Sequence, residues 1–168
     1  MEGKRVKESS VIISLVMLPQ DANPAGNVHG GVVIKNIDSA AGVVAIRHAR
    51  ANAVTASIDR LDFHNPVFIG NLLTLKASVN IVGRSSMEIG VRAEAEDLVT
   101  GHVRHTASAY LTFVALDKNG RPREVPPLIF ETEDEKRRNR ESLARKKSRL
   151  AEKKREVECQ KDIDSCEL

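Results

Sequence analysis

One acidic residue in an apolar stretch is the first feature of this sequence that could do chemistry. Asp38 follows a loop rich in Asn, Gly and His, and its neighbours Ile34, Ile37 and Ala41 lie three or four positions away. On a helix these residues share a face, so the Asp38 carboxylate lies close to the buried stripe, where an unpaired charge is costly. Such a carboxylate either has a structural partner or acts in a reaction, as a general base toward water or as a nucleophile.

The start of the same helix offers a complementary group. Gly30 and Gly31 stand at its first positions, directly after His29, and let a ligand approach the backbone closely. The first turn of a helix has unpaired N–H groups and positive dipole character, so it can polarise a carbonyl or bind an anion. These three residues are therefore candidates for oxyanion and substrate binding. No G-x-G-x-x-G pattern follows a strand here, which argues against a dinucleotide site.

The spacing of these groups predicts a site shared by two subunits. Asp38 follows Gly31 by seven residues, so both lie on nearly the same helix face, about 10 Å apart. One carbonyl cannot easily touch both groups within a subunit. If both act on one substrate, one subunit supplies the glycine amides and its partner supplies the acid. Asn27 is then placed to orient the water or the substrate carbonyl.

Each of these residues also has a purely structural interpretation. Asp38 can be a paired buried acid, Asn27 a loop cap, and His29 a packing or hydrogen-bonding residue. The pattern alone leaves both interpretations open.

A second candidate binding site is the segment GRSS between two predicted strands. It is most simply a hairpin turn that begins at Gly83, but the Arg84 guanidinium and the hydroxyls of Ser85 and Ser86 could also bind a phosphate. None of the serines stands in a G-x-S-x-G nucleophile elbow. A serine-hydrolase mechanism is therefore not predicted.

Metal and disulfide chemistry are not predicted either. Cys159 and Cys166 lie seven residues apart in a polar tail without a nearby histidine, which fits neither a zinc site nor a disulfide scaffold and indicates a reducing compartment. Four other histidines lack metal-ligand spacing and are interpreted as surface or strand residues: His48, His64, His102 and His105. We expect no metal and no bound cofactor.

Composition argues against several classes of partner. The 168 residues include 26 basic and 23 acidic side chains, for a net charge of +3, with one Tyr, four Phe and no Trp. This balance lacks the basic footprint and the stacking platforms of a nucleic-acid-binding protein. No stretch reaches the ~20 apolar residues of a membrane span, and the apolar run 11–18 is interpreted as a strand rather than a signal sequence. We expect a cytoplasmic protein that binds neither nucleic acid nor membrane.

The order of predicted elements indicates an α+β fold. A strand over 11–18 and a loop over 19–27 precede a helix from Gly30 to about Arg50, and strands then follow over 53–63, 72–82, 87–95 and 103–116. An antiparallel meander twists, and one long apolar helix can fill its concave face. One helix covers only part of such a sheet. We therefore expect homodimers joined through an exposed edge strand.

A change of composition divides the chain into a domain over residues 1–130 and a charged helical tail over 131–168. Thr132 and Glu135 resemble a capping box at the start of the tail helix. Its apolar residues recur every seven positions among charged ones: Leu143, Leu150 and Val157. This pattern predicts a solvated helix that packs one thin stripe and frays, with a coiled-coil partner site as the alternative.

Taken together, several segments resemble the hotdog-fold acyl-CoA thioesterases, in particular the cytosolic (brain-type) acyl-CoA hydrolases and their small bacterial relatives. The likeness runs from about residue 11 to residue 136, and the combination is far more specific than any single piece. The segments are AGNVHGG (25–31), IDSAAG (37–42), RHA (47–49), VTASIDRLDFHNPV (54–67), GRSSMEI (83–89), ASAYLTFVALDKNGR (107–121) and VPPLIFETEDEK (125–136).

The resemblance implies a hotdog fold and the hydrolysis of acyl-CoA to fatty acid and CoA, often in a hexamer built as a trimer of dimers. It also implies that Asp38 is catalytic, that Asn27 completes the site from the partner subunit, and that the CoA nucleotide lies near residues 83–86. The homodimer is then the minimal active unit. The sequence separates neither general-base from nucleophilic chemistry nor one acyl chain length from another.

Two other functions compete with hydrolysis. A non-catalytic acyl-CoA-binding or regulatory hotdog protein is the main alternative, although the presence of both Asp38 and Asn27 argues against it. A hotdog dehydratase or hydratase would use an Asp and a His, for which Asp21 and His29 are candidates by type only. Thioester hydrolysis by Asp38 is the function that the sequence supports best.

Overall fold

A five-stranded antiparallel sheet curls around one long helix. The computed structural model describes residues 1–161, so Cys166 lies outside the described residues. In chain order the elements are β1 (Lys4–Arg5), β2 (Val11–Val16), α1 (Gly30–Ala49), β3 (Asn52–Phe63), β4 (Leu72–Val82), β5 (Ser86–Glu96), β6 (Val103–Leu116), β7 (Leu128–Ile129) and α2 (Glu133–Lys161). The large sheet has the strand order β2-β4-β5-β6-β3, and β1 pairs with β7 in a separate parallel ribbon.

The helix α1 is held by a face rich in small side chains. Its buried residues are Val33, Ile37, Ala40, Ala41, Val44, Ala45, His48 and Ala49. They pack against alternate residues of the sheet, among them Leu75, Ile89 and Leu111, which are fully buried. Alanine lets the helix backbone approach the strands closely, and each large apolar side chain buried there stabilises the fold by about 1.5–3 kcal/mol.

The predicted α+β order is confirmed, and the helix and the four later strands begin and end within one residue of the predicted positions. Three features were not predicted: the β1–β7 pair and two single turns of 3-10 helix at Val6–Glu8 and Pro19–Asp21. Strands of two residues have no periodicity to recognise, and the 3-10 turns lie in segments whose only signals are Pro and polar residues. Within residues 1–161, no helix combines the length and hydropathy that a membrane crossing requires.

The strand β3 forms one edge of the sheet and contains two bulges. Its register with β6 shifts after Thr55 and again after Ile58. Thr55 and Ile58 pair with core-facing residues of β6, so both face α1, whereas Ser57 pairs with Thr112 on the opposite face. In a regular strand Thr55 and Ser57 would share a face. The extra residue, Ala56, reverses the alternation between them.

The tail helix α2 packs across the outer face of the sheet through polar contacts. Arg145 donates to Glu88 on β5 at 2.7 Å, and its guanidinium lies 3.7 Å from the centroid of the Tyr110 ring. One turn later Arg149 donates to Asp59 on β3. The side chains of Glu88 and Asp59 are only 2% and 7% exposed, so both acids depend on these arginines for compensation of their charge.

The apolar residues of the tail helix do not make this contact. Leu143, Leu150 and Val157 are 50%, 56% and 44% exposed, so the prediction that this stripe packs is wrong for the described part of the chain. Residues 150–158 are all exposed. The predicted capping box is confirmed, because the Glu135 amide donates to Thr132 Oγ1 and the Thr132 amide donates to the Glu135 carboxylate, both at 3.2 Å.

The interpretation of His48 as a surface or strand histidine is wrong. His48 lies on α1 and is fully buried. Its Nε2 donates to the Pro126 carbonyl at 2.9 Å, which leaves Nδ1 as an acceptor 3.3 Å from the Ser9 hydroxyl. The neutral ring therefore joins the end of α1 to both flanking segments of the chain. Burial lowers the pKa of His48 because the charged ring would lose its hydration.

This burial predicts a pH-dependent stability. In the unfolded chain His48 binds a proton near pH 6.5, whereas in the folded chain burial opposes protonation. The stability that the neutral ring contributes is therefore fully present above about pH 6.5 and is lost as the pH falls below that value. We expect the free energy of unfolding to fall by up to ~1.4 kcal/mol per pH unit in that window. Urea unfolding between about pH 5 and pH 8 measures it.

The control is His48→Gln, which keeps an N–H donor for the Pro126 carbonyl but does not titrate. Its free energy of unfolding should decline less steeply over the same pH range. Equal slopes for both proteins would show that His48 is not the group responsible.

Candidate functional site

A cleft of about 380 Å³ opens at the N-terminus of α1. The loop before the helix forms one wall and the segment after β3 forms the other. The lining residues are Asn23, Asn27, Val28, Gly30, Val33, Phe63, His64, Asn65, Pro66 and Val67. Two predicted site residues, Asn27 and Gly30, thus lie in one cleft.

The helix start is capped by His29. The His29 ring accepts a hydrogen bond from the Gly31 amide through Nδ1 at 2.9 Å, and the amides of the next two residues reach the His29 carbonyl. This leaves the Gly30 amide, which donates no hydrogen bond within residues 1–161. Gly30 therefore offers a free backbone donor to the cleft, whereas the Gly31 amide can donate to a ligand only when its hydrogen bond to the His29 ring is broken.

Asn27 is held by its backbone. Its amide donates to the Asn23 side chain at 3.1 Å, and its carbonyl accepts from the Asn23 amide at 2.7 Å. The side-chain amide of Asn27 makes no hydrogen bond to any residue of the described chain. Because its backbone is fixed and its carboxamide is unengaged, Asn27 can present a donor and an acceptor to the cleft.

His64 lines the far wall of the cleft and packs against the ring of His105 behind it. The His64 and His105 rings lie 4.7 Å apart between centroids, and the Asn65 side chain donates to the His105 carbonyl at 2.8 Å. Burial lowers the pKa of His105, with the Arg92 charge adding to the effect. No sequence pattern marks this pair, because His64 follows β3 and His105 lies in β6, 41 residues later. Only the pairing of β3 with β6 brings them together.

Asp38 has a partner that the sequence did not reveal. Thr55 on β3 donates its hydroxyl hydrogen to Asp38 Oδ1 at 2.6 Å. Asp38 is half-buried at the border of the packed face of α1. Thr55 looked like one more polar residue of an alternating strand, so only the folded arrangement marks it. The bond fixes the orientation of the carboxylate and leaves Oδ2 without a described hydrogen-bond partner.

The predicted residues are divided among three places on one subunit. Asn27 and Gly30 line the cleft, but Asp38 does not, because it lies eight residues after Gly30, a rise of about 12 Å along α1. The third place is the turn at residues 83–86. The separation expected from the spacing is thus present in the fold.

The turn at 83–86 joins β4 to β5, as predicted. The Gly83 amide donates to the Ser86 carbonyl at 2.7 Å, and the amides of Arg84 and Ser85 make no hydrogen bond within residues 1–161. The Arg84 side chain is exposed and lies 3.7 Å from Glu124. Lys146 on α2 reaches the same turn, where its Nζ lies 3.3 Å from the position a Cβ atom would take on Gly83. Two cations, two free amides and two hydroxyls therefore surround this turn.

The residues considered for a hydratase have local roles. The Asp21 carboxylate accepts from the Leu18 amide at 2.8 Å, and the His29 ring caps α1. The two side chains make no hydrogen bond to each other in the described chain. Residues 1–161 also contain no group of three or more His, Cys, Asp and Glu side chains arranged to hold a metal.

Comparison with known proteins places these features in a family. The thioesterase superfamily model matches residues 25–102, which include α1, the loop before it and the turn at 83–86. The predicted hotdog fold is confirmed by solved structures: a hexameric acyl-CoA thioesterase in the apo form has a TM-score of 0.88 at 38% identity, over 90% of this chain and 97% of its own. An acyl-CoA hydrolase from Staphylococcus aureus, in complex with butyryl coenzyme A and coenzyme A, has a TM-score of 0.85 at 36% identity over 96% of both chains.

Proteins related in sequence belong to the same family as these structures. The cytosolic acyl coenzyme A thioester hydrolase of Mus musculus is 41% identical over 129 residues, 76% of this chain, which spans about one third (34%) of that relative's length. The uncharacterized acyl-CoA thioester hydrolase YkhA of Bacillus subtilis is 41% identical over 134 residues, 80% of this chain and 78% of its own. The chain therefore belongs to the acyl-CoA thioester hydrolase family of the thioesterase superfamily.

Proposed function

We propose that the protein is an acyl-CoA thioesterase that hydrolyses fatty acyl-CoA to free fatty acid and CoA. The observation that carries this proposal is the Asp38 carboxylate, half-buried on α1 and oriented by the Thr55 hydroxyl at 2.6 Å. A binding module has no need of both an oriented carboxylate and unengaged donors at the start of the same helix. A hydrolase needs both, one to activate the attacking group and the other to stabilise charge on the carbonyl oxygen.

The proposed reaction assigns one role to each group. Asp38 Oδ2 removes a proton from water while the water oxygen adds to the thioester carbonyl carbon; alternatively, the carboxylate attacks that carbon itself. The Gly30 amide and the Asn27 carboxamide donate to the developing oxyanion. The C–S bond then breaks and the CoA sulfur takes a proton. In the general-base route the acyl group leaves directly as a fatty acid; in the nucleophilic route it is first bound to Asp38 as a mixed anhydride, which a water molecule hydrolyses to fatty acid and the free carboxylate. No cofactor enters this scheme, because CoA is bound only as part of the substrate and product.

We further propose that the site is completed across a homodimer. Asp38 and the cleft are too far apart to act on one carbonyl within a subunit, so a second copy must bring its own cleft to Asp38. The free edge of β3 and the side of α1 next to it expose apolar residues suited to this contact: Val43, Ile46, Val54, Ile58 and Phe63. A continuous sheet through two β3 strands would pair the edge and cover these side chains.

Solved structures of related proteins support the proposal. Two of them are of hexameric thioesterases, from which we propose a trimer of dimers for this chain. Three structures of the Staphylococcus aureus hydrolase contain an alanine in place of an aspartate, an asparagine or a threonine. The replaced aspartate and threonine are separated by 17 positions, as Asp38 and Thr55 are here. The replaced asparagine precedes that aspartate by 15 positions, as Asn23 precedes Asp38, whereas Asn27 precedes Asp38 by 11. Asn23 lines the same cleft as Asn27. The cytosolic location named for the mouse relative is proposed for this chain as well.

The nucleotide end of CoA is assigned to the turn at 83–86. Arg84 and Lys146 bring two positive charges to this turn, and the amides of Arg84 and Ser85 are free to donate within the described chain. The hydroxyls of Ser85 and Ser86 add two further donors. Phosphate groups are bound by this combination of cations, backbone amides and hydroxyls.

Replacing Asp38 should abolish turnover. We expect Asp38→Asn to lower kcat for acyl-CoA hydrolysis by at least about a hundredfold, because the amide can neither accept a proton from water nor attack the carbonyl. A thiol-release assay over a series of acyl chain lengths measures this loss and the substrate preference. The control is Asp62→Asn, which changes a surface aspartate of β3 that pairs with Arg60. Undiminished turnover in Asp38→Asn would remove Asp38 from the mechanism.

A mixed-subunit experiment tests the shared site. Asn27→Ala and Asp38→Ala are each expected to be inactive, but co-expression of the two variants should restore about a quarter of wild-type activity. Half of the randomly formed dimers are mixed, and each of these has one of its two sites intact. If both residues act within one subunit, every site lacks one of them, and no activity returns.

Substrate truncation tests the nucleotide contact. We expect Arg84→Gln and Lys146→Gln each to raise KM for acyl-CoA by about tenfold, since each removes a cation from the phosphates. KM for the acyl-pantetheine thioester, which lacks the nucleotide, should not change. Lys147→Gln, one position further along α2, is the matched control. An equal rise of KM for both substrates would contradict the assignment.

A further inference from the structure

The tail helix contacts the strand that carries Thr55, on the face opposite to α1. We propose that Arg149 is a positioning residue for the reaction: by holding Asp59 on the outer face of β3, it fixes the bulge that turns the Thr55 hydroxyl toward Asp38. This inference rests on the proposed function, which gives Thr55 and Asp38 their part in hydrolysis.

The contacts around Asp59 form a closed network. Arg149 Nη1 donates to Asp59 Oδ2 and, at 2.7 Å, to Thr112 Oγ1. The Thr112 hydroxyl donates to the same Asp59 oxygen at 2.9 Å, and the Ser57 hydroxyl donates to Asp59 Oδ1 at 2.5 Å. Both carboxylate oxygens are therefore engaged. The network joins α2, β6 and the bulged segment of β3.

The bulges give this network its influence on the site. Ala56 is the extra residue that separates Thr55, which faces α1, from Ser57, which faces α2. Asp59 lies at the second register shift, and its side chain also points outward, to Arg149. A slip of β3 by one residue would exchange the two faces and direct the Thr55 hydroxyl away from Asp38. Because Arg149 holds Asp59 on the outer face of β3, Thr55 is kept on the inner face, toward Asp38.

An unsupported bulge has alternatives close in energy, because its extra residue makes no regular pair. Strand β3 is also an edge strand, so within one described subunit only β6 pairs with it. A buried, hydrogen-bonded ion pair is a specific way to choose one register, since any slip would leave the Asp59 charge without its partner. The 2.6 Å bond from Thr55 to Asp38 is sensitive to displacements well below the size of such a slip.

A neighbouring ion pair provides the comparison that separates positioning from docking. Arg145 binds Glu88 one turn earlier on the same helix, and Glu88 is at least as buried as Asp59. That pair attaches α2 to β5, whose pairing with β6 is regular at Glu88. The bulge opposite Glu88 lies in β4, between Val79 and Ile81, and Thr55 is on neither of these strands. Both arginines hold the helix on the sheet, but of the two only Arg149 contacts β3, the strand that carries Thr55.

The experiment compares Arg149→Met with Arg145→Met and with Thr55→Val in the full-length protein. We expect Arg149→Met to lower kcat by about tenfold or more with KM changed less than about twofold, because misplacement of a catalytic contact affects turnover rather than binding. Arg145→Met should retain kcat. In the double variant Thr55→Val/Arg149→Met, kcat should equal that of Thr55→Val alone, since the second change acts through the residue already removed.

Hydrogen exchange supplies a readout that does not depend on activity. The amides of residues 55–60 should exchange faster in Arg149→Met than in Arg145→Met or the wild type. If Arg149→Met does not fold, Arg149→Lys and Asp59→Asn take its place, because Lys keeps the positive charge and Asn keeps the shape of the carboxylate, and both should give smaller changes of the same kind.

The results distinguish the two proposals. Equal kcat in Arg149→Met and Arg145→Met, multiplicative losses in the double variant, or unchanged exchange at residues 55–60 would overturn the positioning role. If Asp38→Asn and Thr55→Val turn over acyl-CoA like the wild type, the proposed mechanism fails instead. The exchange difference between the two arginine variants then still decides whether Arg149 fixes the bulge.

Discussion

Close packing of α1 into the concave sheet is the constraint on which the rest of the molecule depends. The helix can enter because its inner face consists largely of alanine and valine, and each strand of the sheet then buries alternate side chains against it. This contact fixes the direction of the helix. It thereby places the free Gly30 amide at the mouth of the cleft, Asp38 two turns further along beside Thr55, and the buried His48 ring at the far end between two flanking segments.

Coverage of the sheet explains the arrangement around that core. One helix leaves the edge strand β3 and neighbouring apolar residues uncovered on the inner face, which is the surface assigned to the second subunit. On the outer face the sheet presents Glu88, Asp59 and other polar residues, so an apolar helix would not pack there. The helix α2 meets them with arginines instead. Strand β3 thus has α1 on one face and α2 on the other, and its free edge is where we propose that the second subunit pairs.

The sequence predicted what depends on periodicity and local chemistry. The helix from Gly30, the strands over 72–82 and 103–116, the turn at Gly83 and the capping box at Thr132 all have signals within a few residues. What it did not predict depends on contacts between distant residues. Thr55 becomes notable only beside Asp38, and His48 is identifiable as buried only once Ser9 and Pro126 surround it.

In the tail helix the sequence pattern was clear, but it did not predict which face packs. Leu143, Leu150 and Val157 form a recognisable heptad pattern, yet the helix turns a polar face to the sheet because its partners there are acids. Apolar periodicity predicts the packed face of a helix only when the surface that receives it is apolar too. The separation of Asp38 from the glycines, in contrast, follows from helix rise alone and was predicted correctly.

The bulge in β3 also limits how this sequence can change over evolution. Because the extra residue Ala56 reverses the facing of the residues after it until the second bulge restores the phase, the number of residues between Thr55 and Asp59 matters as much as their identity. Substitutions at the exposed Ala56 leave that number intact, whereas a single insertion or deletion there changes the phase of the strand without altering any reactive side chain. In lineages that keep the reaction, this stretch should therefore vary in composition while its length stays constant.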